Sequence, residues 1–357
     1  MARAVHYAPA ARLQRPACSI SSSPGGRDSP VCPGKSIDQG TLRMGWFNAF
    51  AQAAIIGTVR PYVSRELPGW GKLYNRLIGT YAHDGFWAGQ PPRWVRGKLH
   101  GYEMRVDIRR WSNRATFFLG RFYDLPTQLL MMGVVRRGDT VVDIGANEGM
   151  ISLLLSRLAG PDGRVIAFEP NPGPRAVFEA NLERNRIMNT RVHACGLADE
   201  PGTLPLFVPH MNSGEGSFGA RRYDADEGET IACPIGVGDE MLAGEIPAVI
   251  KIDVEGFELR VLRGLSKTMA QAKPVIVMEM VASHLARADA SPAALMEELA
   301  RHGYVGHRLG VERVGGRQAL RLIPVDPAAE WTDGDLVWTV PGSAGHDAIE
   351  AIRQPAG

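Results

Sequence analysis

From about residue 140 the chain alternates short apolar runs with segments of helical spacing. Val141–Ile144 is an apolar run ending in a small-residue turn, Gly145-Ala146-Asn147-Glu148-Gly149, and Met150–Leu158 follows with the spacing of a helix. Val165–Phe168 reads as the next strand and Pro172–Arg186 as its helix. Thr190–Cys195 is a third strand, and Thr203–Val208 adds a hairpin-like excursion. Ala248–Val254 is a fourth strand, followed by a short helix over Glu258–Gly264, and Val275–Met280 is a fifth. Ser291–His302 reads as a helix with Ser291 at its N-cap and Pro292 at its first position. Tyr304–Leu309, Ala319–Ile323 and Asp335–Val340 supply the last strands. Such alternation implies βαβ units and a mainly parallel sheet.

Upstream the pattern is looser. His100–Ile108 and Thr116–Phe122 read as two strands of a β-hairpin, joined by a polar turn at 109–114. Asp124 is placed to cap a helix that holds Pro126 in its first turn and runs to Val135. Trp46–Val59 is apolar over about four helical turns. It reads either as a helix packed on the main domain or as a peripheral membrane contact; the lack of a strongly basic polar face favours packing. Residues 1–43 are rich in Pro, Gly, Ser and Arg without hydrophobic periodicity and read as disordered. The expected organisation is a disordered extension at 1–43, a helical segment at 44–97, the main domain at 98–345 and a tail at 346–357.

Composition narrows the class. Of 357 residues, 45% are apolar, enough for a large core. The 40 basic and 38 acidic side chains nearly cancel, which gives no electrostatic footing for a nucleic-acid partner. The four cysteines form no C-x-x-C pair and no zinc spacing, and they read as reduced thiols of a cytoplasmic protein. No metal site is expected.

In an open α/β sheet, ligands bind outside the carboxyl ends of the strands. Those ends carry Asp143, Gly145, Ala146, Asn147 and Gly149 on the first strand and turn, and Glu169 with Asn171 on the second. Glu169, 24 residues after Gly145, is placed to accept hydrogen bonds from ribose hydroxyls. Nicotinamide dinucleotides and S-adenosylmethionine both offer such hydroxyls. A dinucleotide loop needs G-x-G-x-x-G, whereas Asn147 stands at the second glycine and Glu148 directly behind it. An acid there would repel a pyrophosphate, while Asp143 and Glu148 suit a ligand bearing ammonium and sulfonium charge. S-adenosyl-L-methionine is the expected cofactor. Leu197 and Asp199, after the third strand, are expected near its adenine.

The runs Asp143-Ile144-Gly145-Ala146-Asn147-Glu148-Gly149, Phe168-Glu169-Pro170-Asn171-Pro172 and Ile250-Lys251-Ile252-Asp253-Val254-Glu255-Gly256-Phe257-Glu258 together resemble the FkbM family of S-adenosylmethionine-dependent methyltransferases. Asn212-Ser213-Gly214 and Lys273-Pro274-Val275-Ile276-Val277-Met278-Glu279 resemble it too, so the likeness covers about residues 98 to 310. Glu148 departs from it, since an apolar or small residue is more usual there. The resemblance implies a class I methyltransferase fold, a seven-stranded sheet with one antiparallel strand and helices on both faces. It also implies O-methylation of sugar, glycolipid or natural-product hydroxyls.

A hydroxyl nucleophile needs its proton accepted by a positioned base. Asp253, at the end of the fourth strand, is the expected base or substrate anchor, and Glu255 could do either job from the following turn. Lys251 shares a strand face with Asp253 and needs an acidic partner, for which Asp143 is the nearest choice. Glu279, His284, Asn212 and Ser213 are expected on the substrate side. His284 could accept a proton, and Asn212 and Ser213 lie in a Gly-rich loop that could close over substrate. A nucleic-acid base methyltransferase would carry an Asn/Asp-Pro-Pro-Tyr loop or a Pro-Cys nucleophile, and neither occurs. A nicotinamide oxidoreductase and a non-catalytic cofactor-binding protein are the other readings.

Overall fold

A computed structural model describes residues 39–209, 218, 228–315 and 317–353. Asn212 and Ser213 lie outside them, as do residues 1–38 of the expected N-terminal extension. The first elements are α1 (Gln39–Ser64), α2 (Trp70–Leu77), α3 (Asp84–Trp87), β1 (Arg93–Arg96), β2 (Glu103–Val106), α4 (Trp111–Leu119) and α5 (Leu125–Val134). Then come β3 (Thr140–Ile144), α6 (Met150–Ala159), β4 (Arg164–Phe168), α7 (Pro172–Asn185), β5 (Thr190–His193), β6 (Gly196–Ala198), β7 (Gly202–Pro209), β8 (Gly228–Val237) and α8 (Gly238–Met241). The chain continues through β9 (Pro247–Ile252), α9 (Glu258–Gly264), α10 (Ser266–Ala272), β10 (Val275–Met280), α11 (Ala282–Arg287) and α12 (Pro292–Arg301). It ends with β11 (Val305–Val314), β12 (Arg317–Pro324), β13 (Gly334–Thr339) and α13 (Ala344–Arg353).

The main sheet has the order β12-β11-β13-β10-β9-β3-β4-β5. Strands β5, β4, β3, β9 and β10 pair in parallel, while β13 runs against both β10 and β11. This is the class I methyltransferase topology expected from the sequence, with a correction in number. The sheet has eight strands, because β12 pairs antiparallel along β11 and adds an edge. Two strands therefore run against the rest. The excursion after β6 forms a separate three-stranded sheet, β6-β8-β7.

Each central strand is buried on both faces, as parallel strands under helices must be. Val142, Ile144, Ile250, Ile252, Ile276 and Met278 face one layer, packed with Leu259, Leu262, Leu285 and Leu299. Val141, Val249, Val275, Val277 and Val337 face the other, with Leu130, Met131, Leu154, Leu155 and Ile349. Thus α13 is anchored in the core by Ile349, where the sequence shows only a tail.

The expected hairpin is present with one strand where expected, β2 lying within 100–108, and the other upstream rather than downstream of it. It is β1 with β2, Arg93 opposite Val106 and Arg96 opposite Glu103. Residues 111–119, expected as a turn and a second strand, form helix α4. Seven consecutive residues of α4, Asn113–Leu119, are buried. A helix enclosed on every side needs no polar stripe, so the 3.6-residue period that would reveal it is missing.

Helix α1 outruns the expected 46–59. Ile55, Ile56, Val59 and Val63 pack with Trp87, Met104, Phe118, Met150 and Leu153 in one cluster. Arg114 is fully buried in α4. It donates to the carbonyls of Ile78, Ile108, Arg109 and Thr80 and to Asp84 Oδ1 at 2.7 Å. Among the described residues no helix is long and apolar enough to cross a membrane.

Candidate functional site

The charged groups of the site continue the apolar face pattern of the sheet. Residues two apart on a strand share a face. The face that carries Val141, Val249, Val277 and Val337 therefore carries Asp143, Lys251, Asp253, Glu279 and Asp335 at the carboxyl edge of the parallel strands. The register confirms the juxtaposition: Asp143 is level with Lys251, and Glu279 is directly opposite Asp335.

Lys251 is the hub. Its Nζ lies 3.2 Å from Asp143 Oδ1 and 3.3 Å from Asp253 Oδ2, and donates to the Gly145 carbonyl at 3.0 Å. The ammonium is thus ion-paired with two carboxylates and hydrogen-bonded to one carbonyl. Burial opposes the charge on Lys251, but Asp143 and Asp253 together hold its pKa above the ordinary lysine value. The Ser152 hydroxyl donates to Asp143 Oδ2 at 2.6 Å, so the fully buried Asp143 is held from both sides.

The loop after β3 is left-handed at Gly145, Asn147 and Gly149, with φ of 76°, 52° and 77°. Both glycines are required by protein contacts. A Cβ on Gly145 would lie 1.9 Å from the Asp253 carbonyl oxygen, and one on Gly149 would lie 2.0 Å from the Phe178 ring. The Glu169 carboxylate bridges the loop to the next turn, accepting from Asn147 N–H at 2.7 Å and Asn171 N–H at 2.8 Å. Burial pushes its pKa up to about 7, against the pull of those two N–H groups. Each oxygen keeps a second lone pair for a ligand hydroxyl. Asn171 itself caps α7, its side chain accepting from Gly173 N–H at 3.1 Å. Ala146 is buried against Phe178.

Glu148 does not face this loop's open side. Its carboxylate accepts from Asn113 Nδ2 at 2.9 Å and pairs with Arg110 at 3.3 Å. Glu148 is therefore not placed to repel a pyrophosphate at the loop, because its charge is turned to Asn113 and Arg110 at the start of α4. The absence of the second glycine still separates the loop from a dinucleotide fingerprint.

Leu197 is buried in the core, and its strand β6 pairs with β8. Asp199 pairs with Arg260 at 2.6 Å.

At the turn after β9, Glu255 Oε2 lies 2.9 Å from His284 Nδ1. Glu258 secures the turn between Asp253 and Gly256, accepting from Val254 N–H at 3.4 Å and Gly256 N–H at 3.1 Å. Burial first, then the charges of Asp253 and Glu255, push Glu279 up to about 8. Asp335 is raised by burial and by Asp124, Glu279 and Asp253. The Tyr123 hydroxyl lies in the field of the same carboxylates, and its half-exposed ring sits 5.2 Å from that of Trp111. Asp124, expected only as a cap, does cap α5 through Thr127 N–H at 3.3 Å. The sequence reading missed Asp335, Tyr123 and Glu258 in this neighbourhood. Alternation along the last strand could have found Asp335 once its direction was known. Among the described residues, no group of three or more His, Cys, Asp or Glu side chains is arranged to hold a metal ion.

A sheet of this order with acids at its parallel strand ends and a glycine loop after the first defines the class I methyltransferase fold. Within that class, residues 143–305 match the methyltransferase FkbM domain. It is similar to methyltransferase 1 of Beauveria bassiana, 31% identical over 144 residues, which make up 35% of this chain and 57% of that protein. It is 34% identical over 160 residues to the 31-O-demethyl-FK506 methyltransferase FkbM of Streptomyces tacrolimicus, covering 37% of this chain and 61% of that one. The hexuronic acid methyltransferase AglP of Haloferax volcanii is 30% identical over 153 residues, 42% of this chain and 59% of that protein. The chain thus spans about three-fifths of the length of these relatives.

Proposed function

We propose that the chain transfers the methyl group of S-adenosylmethionine to a hydroxyl of a sugar, glycolipid or natural product. One observation carries the reading: Lys251 ties the loop at Gly145 to Asp253, so a cofactor loop and an acceptor carboxylate meet at one strand edge. The relatives named as methyltransferases of FK506 and of a hexuronic acid support a hydroxyl-bearing acceptor.

The residues present fit the cofactor. Glu169 is buried, with a pKa of about 7, and ribose hydroxyls donating to it would stabilise its ionised form. Asp143 is spoken for by Ser152 and Lys251 and shapes the floor of the site. Gly145, Ala146, Asn147 and Gly149 line the loop, Asn171 fixes the turn beyond Glu169, and Leu197 and Asp199 flank the adenine side. The bound sulfonium supplies an activated methyl carbon, and the protein supplies orientation. Asp253, 42% exposed and anchored by Lys251, is the group that holds the acceptor hydroxyl in line. Glu279 bounds the acceptor side, and Asn212 and Ser213 remain candidates to contact the acceptor.

Calorimetry with S-adenosylhomocysteine and with NAD is expected to show binding of the first alone. Binding of NAD alone would replace this reading with an oxidoreductase. Methyl transfer from labelled S-adenosylmethionine should then be measured across glycosides, lipids and polyketides; binding without transfer to any of them would favour a non-catalytic protein. Asp253→Asn is expected to keep cofactor affinity and lower kcat/KM at least about tenfold, as loss of one positioned contact does. Full turnover in that variant would remove Asp253 from the acceptor site.

A further inference from the structure

We propose that His284 is the proton acceptor in the transfer and that Glu255 positions it. The proposal rests on the methyl-transfer reading above and adds the group that receives the hydroxyl proton.

The pair is built by backbone geometry as well as by side chains. Glu255 is held at φ 53° and Gly256 at φ 109°, two successive residues in the left-handed region. Left-handed backbone is disfavoured for a residue with a Cβ, and such positions gather at working sites. Gly256 lets α11 come into backbone contact with the turn: a Cβ there would lie 2.2 Å from the His284 carbonyl oxygen. His284 N–H in turn donates to Val281 O at 3.0 Å, which fixes the first turn of α11. The result is the 2.9 Å approach of Glu255 Oε2 to His284 Nδ1. With 17% and 19% of their side chains exposed, the two groups are shielded but reachable.

The contact selects a tautomer. A carboxylate accepts only, so neutral His284 places its proton on Nδ1 and leaves a lone pair on Nε2. Other candidate bases are less free. Asp253 Oδ2 is engaged by Lys251 at 3.3 Å. Burial and the charges of Asp253 and Glu255 hold the Glu279 carboxyl above the ordinary carboxylate range, which favours its protonated form. The groups that act on the imidazole are Glu255 of the turn after β9, Glu279 of β10 and Arg287 of its own helix. The hydrogen bond to Glu255 raises its pKa, burial and Arg287 lower it, and the balance lies above the ordinary histidine value.

In the step, the acceptor oxygen forms a bond to the methyl carbon while the carbon–sulfur bond breaks, its electron pair passing to sulfur. The hydroxyl proton moves to His284 Nε2, and Glu255 stabilises the imidazolium that results. Solvent then removes the proton. His284 must start neutral, so the rate rises with pH through its pKa.

Two measurements test this. In the first, ring-labelled histidine is followed by NMR as pH is varied, in protein saturated with S-adenosylhomocysteine, with the His284 signal assigned by its loss in His284→Gln. His284 is expected to titrate above the ordinary imidazole range in the wild type, to fall in Glu255→Gln and to recover in Glu255→Asp. An unmoved titration in Glu255→Gln overturns the positioning role. In the second, methyl transfer to 4-nitrophenyl β-D-glucuronide is timed from pH 5.5 to 9. His284→Gln is expected to lower kcat about 100-fold and to abolish the acidic limb, with S-adenosylhomocysteine affinity kept. Glu255→Gln is expected to shift that limb to lower pH; a residue that only braced the turn would leave it in place. Wild-type turnover with an unaltered rate and pH profile in His284→Gln overturns this proposal alone. A wild type that binds no S-adenosylhomocysteine overturns the methyl-transfer reading itself.

Discussion

Lys251→Met is expected to cost about 3–5 kcal/mol of stability, the range for breaking a buried ion pair from one side. Methionine matches lysine in reach, so little cavity is left and the effect is electrostatic. Asp143 is fully buried, and losing the ammonium leaves it with Ser152 as its remaining partner. The Gly145 carbonyl also loses its donor. Urea unfolding at pH 7.5 checks the figure, and a loss below about 1 kcal/mol would mean that the hub is held by something else. Adding Asp143→Asn to Lys251→Met removes the stranded charge and is expected to restore most of the loss. The double-mutant cycle then isolates the coupling of the two.

Gly145→Ala carries the second large effect, by steric means. The new Cβ would stand 1.9 Å from the Asp253 carbonyl oxygen, and that oxygen cannot swing aside. Its residue is tied to β3 through Asp253 N–H to Ile144 O at 3.0 Å and to Lys251 through its side chain. Left-handed backbone alone costs an alanine about 1–2 kcal/mol, and overpacking adds about 1–3. Gly101→Ala is the control: φ is 79° there, with nothing within 4 Å of an added Cβ. It is expected to lose only the backbone share. Equal losses in the two variants would show that the close approach to Asp253 is not maintained in solution.

The parallel part of the sheet was legible because its strands are buried on both faces and read as unbroken apolar runs between helices. The caps at Asp124 and Ser291 mark helix starts by local chemistry, and the structure has each side chain accepting from the backbone it caps. The front of the chain misled for the opposite reason. Thr116, Phe117 and Phe118 favour strands by type, but α4 is enclosed by α2, β2 and the loops that Arg114 grips, and packing decides its form. Asp335 was hidden because its place beside Glu279 follows from an antiparallel register 56 residues downstream. Lys251 and Asp143 were easier, since parallel neighbours of like pattern put the two level. Glycine was the least transparent letter. A sequence shows that Gly145 and Gly149 lack a Cβ, but it cannot say whether a ligand or a neighbouring chain segment fills the space.

The contact between Gly145 and the Asp253 carbonyl, with Lys251 bonded to both residues, makes the loop after β3 and the turn after β9 one mechanical unit: a displacement of either is expected to be transmitted to the other.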